Sequence, residues 1–138
     1  VDKRGQGQQM SFLFDSSAII NIVRRRKARY LAGHTLDLAF YEILNAVWKE
    51  AFLLKSLPES IAIELMKEAV TAWRILPKVD VDEIEVFEKA KEHMIPAYDA
   101  AYMTAALKNG LVLVTDDSRL RSISKGISSQ EYIKIYES

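Results

Sequence analysis

The sequence predicts an α/β fold, a parallel sheet of four to five strands with helices on both faces. Short apolar runs alternate with helical patterns in the order βα, βα, α, βα, α, βα, β. Strands that alternate with helices pair in parallel, because each crossover helix carries the chain back to the same edge of the sheet. A second observation is that acids stand where helices begin, and in open α/β sheets ligands meet the chain just past the carboxyl ends of the strands.

The stretch that anchors this expectation is Pro96 to Leu120. Pro96 punctuates a helix start, with Asp99 in the first turn. Ala97, Ala101 and Ala105 form a row of small residues that lets the helix lie close against a sheet. A turn at Asn109-Gly110 leads into a buried strand, Leu111 to Val114, and then to Asp116 and Asp117 as a new helix opens. If the helix packs antiparallel to this strand, Asp99 comes close to the Asp116-Asp117 pair.

Earlier in the chain, Ser11 to Phe14 is an apolar run followed by Asp15-Ser16-Ser17, a helix-start signal, and a helix that ends in Arg24-Arg25-Arg26-Lys27, with Arg29 beyond. Thr35 to Phe40 reads as a second strand and Tyr41 to Leu54 as a long helix with Glu42 in its opening turn. Ser56 and Glu59 are spaced as a capping box, as are Asp80 and Glu83. The first opens a helix with Ile61, Leu65, Ala69 and Trp73 on one stripe. The second opens one with Ile84, Phe87 and Ala90 turned inward. Arg74 to Leu76 reads as a short third strand, and Tyr132 to Tyr136 alternates as an edge strand does. Residues 1–10 are expected to be a disordered or tag-derived tail, and 11–138 to form one domain.

Bulk properties narrow the function. The 138 residues are 49% hydrophobic and 28% charged with a formal net charge of +0. That composition is ordinary for a folded domain and argues against general electrostatic adhesion to nucleic acid or membrane, leaving room for local patches. The absence of cysteine removes disulfides, thiolate metal sites and cysteine nucleophiles, and fits a reducing, cytoplasmic setting. No apolar run approaches the ~18 residues of a membrane span.

An acid at a helix start is common for capping alone, worth ~0.5 to 2 kcal/mol. Four junctions that each deliver one are harder to dismiss. Helices that follow parallel strands start on one edge, so Asp15, Glu42 and Asp117 converge there with Asp99. Gathered carboxylates repel and raise one another's pKa values, and a divalent cation relieves that repulsion. Oxygen ligands without Cys or His suit Mg²⁺ or Mn²⁺.

Asp15 with Ser16-Ser17, Glu42 with Asn45 in the pattern ExxN, Tyr98-Asp99-Ala100-Ala101-Tyr102, and Leu113-Val114-Thr115-Asp116-Asp117 together resemble the PIN domain, and among PIN domains the compact VapC toxins of toxin-antitoxin modules. The resemblance spans Met10 to the C-terminus. It implies a three-layer α/β/α fold, Mg²⁺ or Mn²⁺ dependence and endonucleolytic hydrolysis of RNA that leaves a 5′ phosphate and a 3′ hydroxyl. It makes Asp15, Glu42, Asp99 and Asp117 the catalytic metal ligands, leaves Asp116 an alternative fourth acid, and gives Ser16, Asn45 and Thr115 supporting roles. It further implies a homodimer and a cognate VapB-like antitoxin. A scaffold that binds RNA or a partner without cutting is the alternative. A haloacid-dehalogenase-like phosphatase would need a second acid that Asp15-Ser16-Ser17-Ala18 lacks, and a receiver domain would need a lysine after a late strand, where Lys134 falls inside one.

Arg24, Arg25, Arg26, Lys27 and Arg119 are candidate contacts to an RNA backbone, with Arg29, Arg121 and Lys125 nearby; a solvated helix end explains the run equally well. Trp48, Leu53, Leu54, Leu57, Ile61, Met66 and Trp73 read mainly as core, with the remainder available to a partner helix or dimer face. His34 and His93 read as surface residues without a metal role.

Overall fold

The computed structural model describes residues 10–138. Of the expected tail, residues 1–10, all but Met10 lies outside that range. The elements run β1 (Phe12–Phe14), α1 (Ser16–Arg24), α2 (Ala39–Trp48), α3 (Glu59–Ile75), α4 (Glu83–His93), α5 (Ala97–Asn109), β2 (Val112–Val114), α6 (Ser118–Ser124) and α7 (Ser129–Glu137). A 3-10 turn, Ala28–Tyr30, follows α1, and a π-helical turn, Lys49–Leu53, continues α2.

β1 and β2 pair in parallel with Leu13 opposite Leu113. Instead of further strands, three single bridges extend the sheet: His34 on Leu13, Lys78 on Thr35, and Ile127 on Val114. The expected four to five strands are therefore two strands flanked by short parallel contacts, among the described residues. Each contact is brief because the chain turns into a helix at once. Thr35 pairs with the Pro77 carbonyl and the Val79 amide, but Leu38 already caps α2, so Thr35 to Phe40 is not a strand. Arg74 and Ile75 belong to α3. Tyr132 to Tyr136 lies inside α7, whose start is fixed by a capping box between Ser128 and Glu131.

Two glycines let the flanking segments approach. A Cβ on Gly33 would stand 2.5 Å from the Phe12 carbonyl oxygen, and one on Gly126 would stand 2.5 Å from that of Leu113. No side chain fits there, so both segments reach the central strands only through glycine.

Side-chain alternation sends Phe12 and Phe14 to one face, where both rings meet Tyr132 of α7 edge-on at 4.8 and 4.9 Å. On that side α1 packs against α2, α3 and α7, while α5 lies on both strands and α4 packs on α5. Ala100 to Ala106 of α5 are all buried, which matches the expected close helix, although Ala97 itself is exposed.

Other local expectations are corrected. α3 begins after Pro58 without a side-chain cap, and Ser56 Oγ donates instead to the Glu50 carbonyl. Asp82, not Asp80, caps α4 by accepting from Ile84 N and Glu85 N. Val86 and Ala90 pack against the cluster of Ile95, Ala100 and Met103, so Ala90 is turned inward as expected while Ile84 and Phe87 face solvent. Trp48, Leu53, Leu54 and Ile61 are exposed and not core. His34 sits in the sheet with Nδ1 buried and unpartnered among the described residues.

Candidate active site

Asp15 follows β1 directly and is only 6% exposed. As N-cap of α1, its Oδ1 accepts from Ala18 N at 2.9 Å and from Ser17 Oγ at 2.7 Å. Its Oδ2 accepts from the hydroxyl of Thr115, which is wholly buried after β2. The same Thr115 oxygen accepts from Asp117 N at 3.1 Å. One hydroxyl thus ties together the acids that follow the two strands.

Glu42, in the first turn of α2, accepts from Tyr102 Oη at 2.7 Å. Asp99, in the first turn of α5, is half-buried, and Asp117 caps α6 through Oδ1 to Leu120 N at 2.9 Å. No hydrogen bond engages Asp117 Oδ2 among the described residues.

Burial first, and neighbouring like charges second, favour the protonated form of three of these acids. Burial pushes Asp15 up to about 6, against the hydrogen bonds from Thr115, Ala18 and Ser17, and Asp116 pushes it the same way. Burial likewise lifts Glu42 to about 7, opposed by Tyr102 and Ser16 and reinforced by the charges of Asp15 and Asp99. Asp99 is raised by burial and then by Asp117, while Arg119 lowers it. Like charges therefore link Asp15, Glu42, Asp99 and Asp117 in an unbroken series.

Among the described residues no ion pair neutralises any of the four. Nor do any three acidic or imidazole groups stand close enough, as placed, to share one ion. The donor set still fits a hard cation: it is all oxygen, carboxylate, and engaged in no ion pair among the described residues.

Asp116 differs in kind. Its Oδ1 accepts from Ser129 N at 2.8 Å, and its Oδ2 from Asn21 Nδ2 at 2.7 Å and Ser129 Oγ at 2.6 Å. Its amide donates to Ser17 Oγ at 2.9 Å. Both carboxylate oxygens are occupied in joining α1 to the start of α7.

Asn45 lies one turn after Glu42, exposed, on a groove that Glu42 also lines. The basic run is elsewhere. Asp15 caps the start of α1 and Arg25 its end, so about 15 Å of helix separates them. Arg24 pairs with Glu50 and Lys27 with Glu137, which leaves Arg25 and Arg26 without ion pairs among the described residues. Arg119 stands nearer the acids, donating to the Met94 carbonyl.

Sequence reasoning gave no role to Ser17 or Tyr102, although both lie in the quoted motifs, and missed Asn21 and Ser129. Asn21 left a signal, as the lone polar side chain in the apolar run Ala18 to Val23. Tyr102, three residues after Asp99, is nearly fully buried and faces Glu42 across the gap between α5 and α2.

Fold and site together define a class: an α/β domain with two central parallel strands and carboxylates at the starts of four helices. The chain belongs to the PIN-domain family, whose model matches residues 12–126. It is similar to Exonuclease VapC9 of Pyrobaculum aerophilum, 35% identical over 100 residues that cover 72% of this chain and 73% of that protein. It is also similar to Ribonuclease VapC3 of the same organism, 38% identical over 89 residues, 63% of this chain and 67% of that protein. The crystal structure of PAE2754 from Pyrobaculum aerophilum superposes with a TM-score of 0.78 at 28% identity, covering 94% of this chain and 91% of that one.

Proposed function

We propose that this chain is the nuclease of a toxin-antitoxin pair, an endoribonuclease that hydrolyses RNA phosphodiester bonds with Mg²⁺ or Mn²⁺. The observation that carries this is a buried Asp15 with no cation beside it among the described residues, in Coulomb range of further acids. A buried charge without a counter-charge is expensive, and such groups mark sites built for a ligand.

Asp15, Glu42, Asp99 and Asp117 would hold the cation. When bound, it supplies positive charge to the phosphate oxygens and favours ionisation of water. The protein's own groups set the geometry. Ser17 and Thr115 fix both oxygens of Asp15, and Tyr102 and Ser16 orient Glu42. Asp117, with one oxygen left over from capping, is the fourth acid, and Asp116 is a strut. Asp99 or Asp117 accepts the proton of the attacking water, which enters in line with the leaving 3′ oxygen. Asn45 holds Glu42 or a substrate oxygen.

The relatives' names divide between exonuclease and ribonuclease, so a substrate without ends is the decisive one. A circular RNA incubated with Mn²⁺ is expected to be linearised to a 5′ phosphate product by the wild type. It should survive in EDTA, and with Asp15→Asn or Asp99→Asn. Cleavage of linear RNA alone would make the enzyme an exonuclease. RNA binding without cleavage of either form would make it a scaffold. A VapB-like antitoxin, a homodimer and a cytoplasmic location complete the proposal, supported by the VapC relatives and by the absence, among the described residues, of any helix long and apolar enough to cross a membrane.

A further inference from the structure

Beside Glu42 a groove of about 660 Å³ opens between α2 and the first turn of α5, within the ~300 to 1,000 Å³ of small-ligand sites. Leu38, Tyr41, Asn45 and Lys49 follow one another at three- and four-residue spacing, so α2 presents them as one stripe. Tyr98 faces that stripe from α5. Tyr41 is 73% exposed and Tyr98 61%. Neither hydroxyl makes a hydrogen bond among the described residues, and neither does Lys49 form an ion pair. Large exposed aromatic rings lose stabilisation in water that a stacked partner restores.

Position adds meaning to exposure. Tyr41 precedes Glu42 and Tyr98 precedes Asp99, so each ring flanks one of the acids. The geometry points to a subsite for one unpaired nucleotide, with its base stacked on Tyr41 and Tyr98. This rests on the nuclease function proposed above and places one nucleotide of its RNA substrate beside Glu42 and Asp99. Asn45 offers an amide that both donates and accepts, suited to a base edge, and Lys49 a free ammonium for the neighbouring phosphate. Bases within a duplex are stacked on each other and do not reach such a groove, whereas a splayed base in a loop or single strand does.

The test uses a short RNA with one 2-aminopurine, whose fluorescence is quenched on stacking, titrated with the full chain in EDTA so that no cleavage occurs. The wild type is expected to quench the probe. Tyr41→Ala and Tyr98→Ala are each expected to weaken binding about tenfold, within the range for loss of one base-aromatic stack. Tyr41→Phe and Tyr98→Phe should retain both binding and quenching, and the same sequence as a duplex should bind worse and be indifferent to all four variants. Circular dichroism checks that the variants fold, as surface substitutions are expected to. No quenching by the wild type, equal binding by the alanine variants, or equal binding of the duplex would each overturn the subsite. If quenching occurs but no RNA is cut with either metal, the groove stands and hydrolysis is what fails.

Discussion

Thr115 concentrates the residue-scale account in one oxygen. Its hydroxyl donates to Asp15 and accepts from the Asp117 amide, at a wholly buried position. Thr115→Val keeps the shape and removes the oxygen, leaving Asp15 Oδ2 without that donor. The variant is expected to lose about 1 to 3 kcal/mol in urea unfolding and most cleavage activity. Protonation gives a second prediction. Asp15 and Glu42 bind protons more tightly in the folded chain than in the unfolded one, because burial raises them to about 6 and about 7. Their contribution is fully present below the ordinary carboxylate range, near pH 4, and is lost as pH rises through 6 to 7. In EDTA the melting temperature should therefore fall between pH 4 and pH 7.5. Glu42→Gln, which keeps an acceptor for Tyr102, should flatten that fall.

Elements explain how short strands hold a precise edge. Three residues of β1 pair with three of β2, and the flanking segments dock through Gly33 and Gly126. Gly126→Ala would drive a methyl group against the Leu113 carbonyl, whereas nothing lies within 4 Å of a Cβ at Gly110. Gly110, with φ of 63°, should cost about 1 kcal/mol as alanine, for left-handed backbone alone. Thermal unfolding should show Gly126→Ala to be the more damaging of the two. Equal losses would mean the flanking segment yields freely. Element types were legible in the sequence wherever a cap and a period agreed, as at Asp15 and at Gly110. They were not legible where the tertiary setting decided. Tyr132, Ile133 and Tyr136 fit a helix face as well as a strand, and the Ser128-Glu131 box that settles it lies four residues upstream of Tyr132. Thr35 to Phe40 has strand composition but only one residue's length of sheet before α2 begins. Asp80 and Asp82 both suit a cap, and the inward stripe of α4 runs through Val86 and Ala90 and not through Ile84 and Phe87.

Over the whole molecule, a net charge of +0 hides a separation. Asp15 caps the start of α1, tied through Thr115 to Asp117, and Arg25 and Arg26 lie where it ends. An RNA contacting both edges must follow the length of α1. Arg25→Ala with Arg26→Ala is expected to leave cleavage of a tetranucleotide unchanged. For a long RNA it should weaken binding and lower the salt dependence of affinity by about two phosphate contacts. Measured binding against salt concentration decides this, and an unchanged slope would return the basic run to a solvated helix end. The placing of Asp15 and Asp117 just past parallel strands was legible in the sequence, whereas Glu42 and Asp99 open helices that follow no strand. Which of Asp116 and Asp117 stays open was not legible, since it depends on Asn21 and Ser129, which are distant in the chain.

Calorimetric titration of Mn²⁺ into the metal-free protein at pH 7.5 tests the central claim most directly. If the unneutralised carboxylates form a cation site, the wild type binds Mn²⁺ with release of protons from the raised groups, and Asp15→Asn and Asp99→Asn each weaken binding by an order of magnitude or more. Absence of binding by the wild type, or binding that both variants retain, would contradict it.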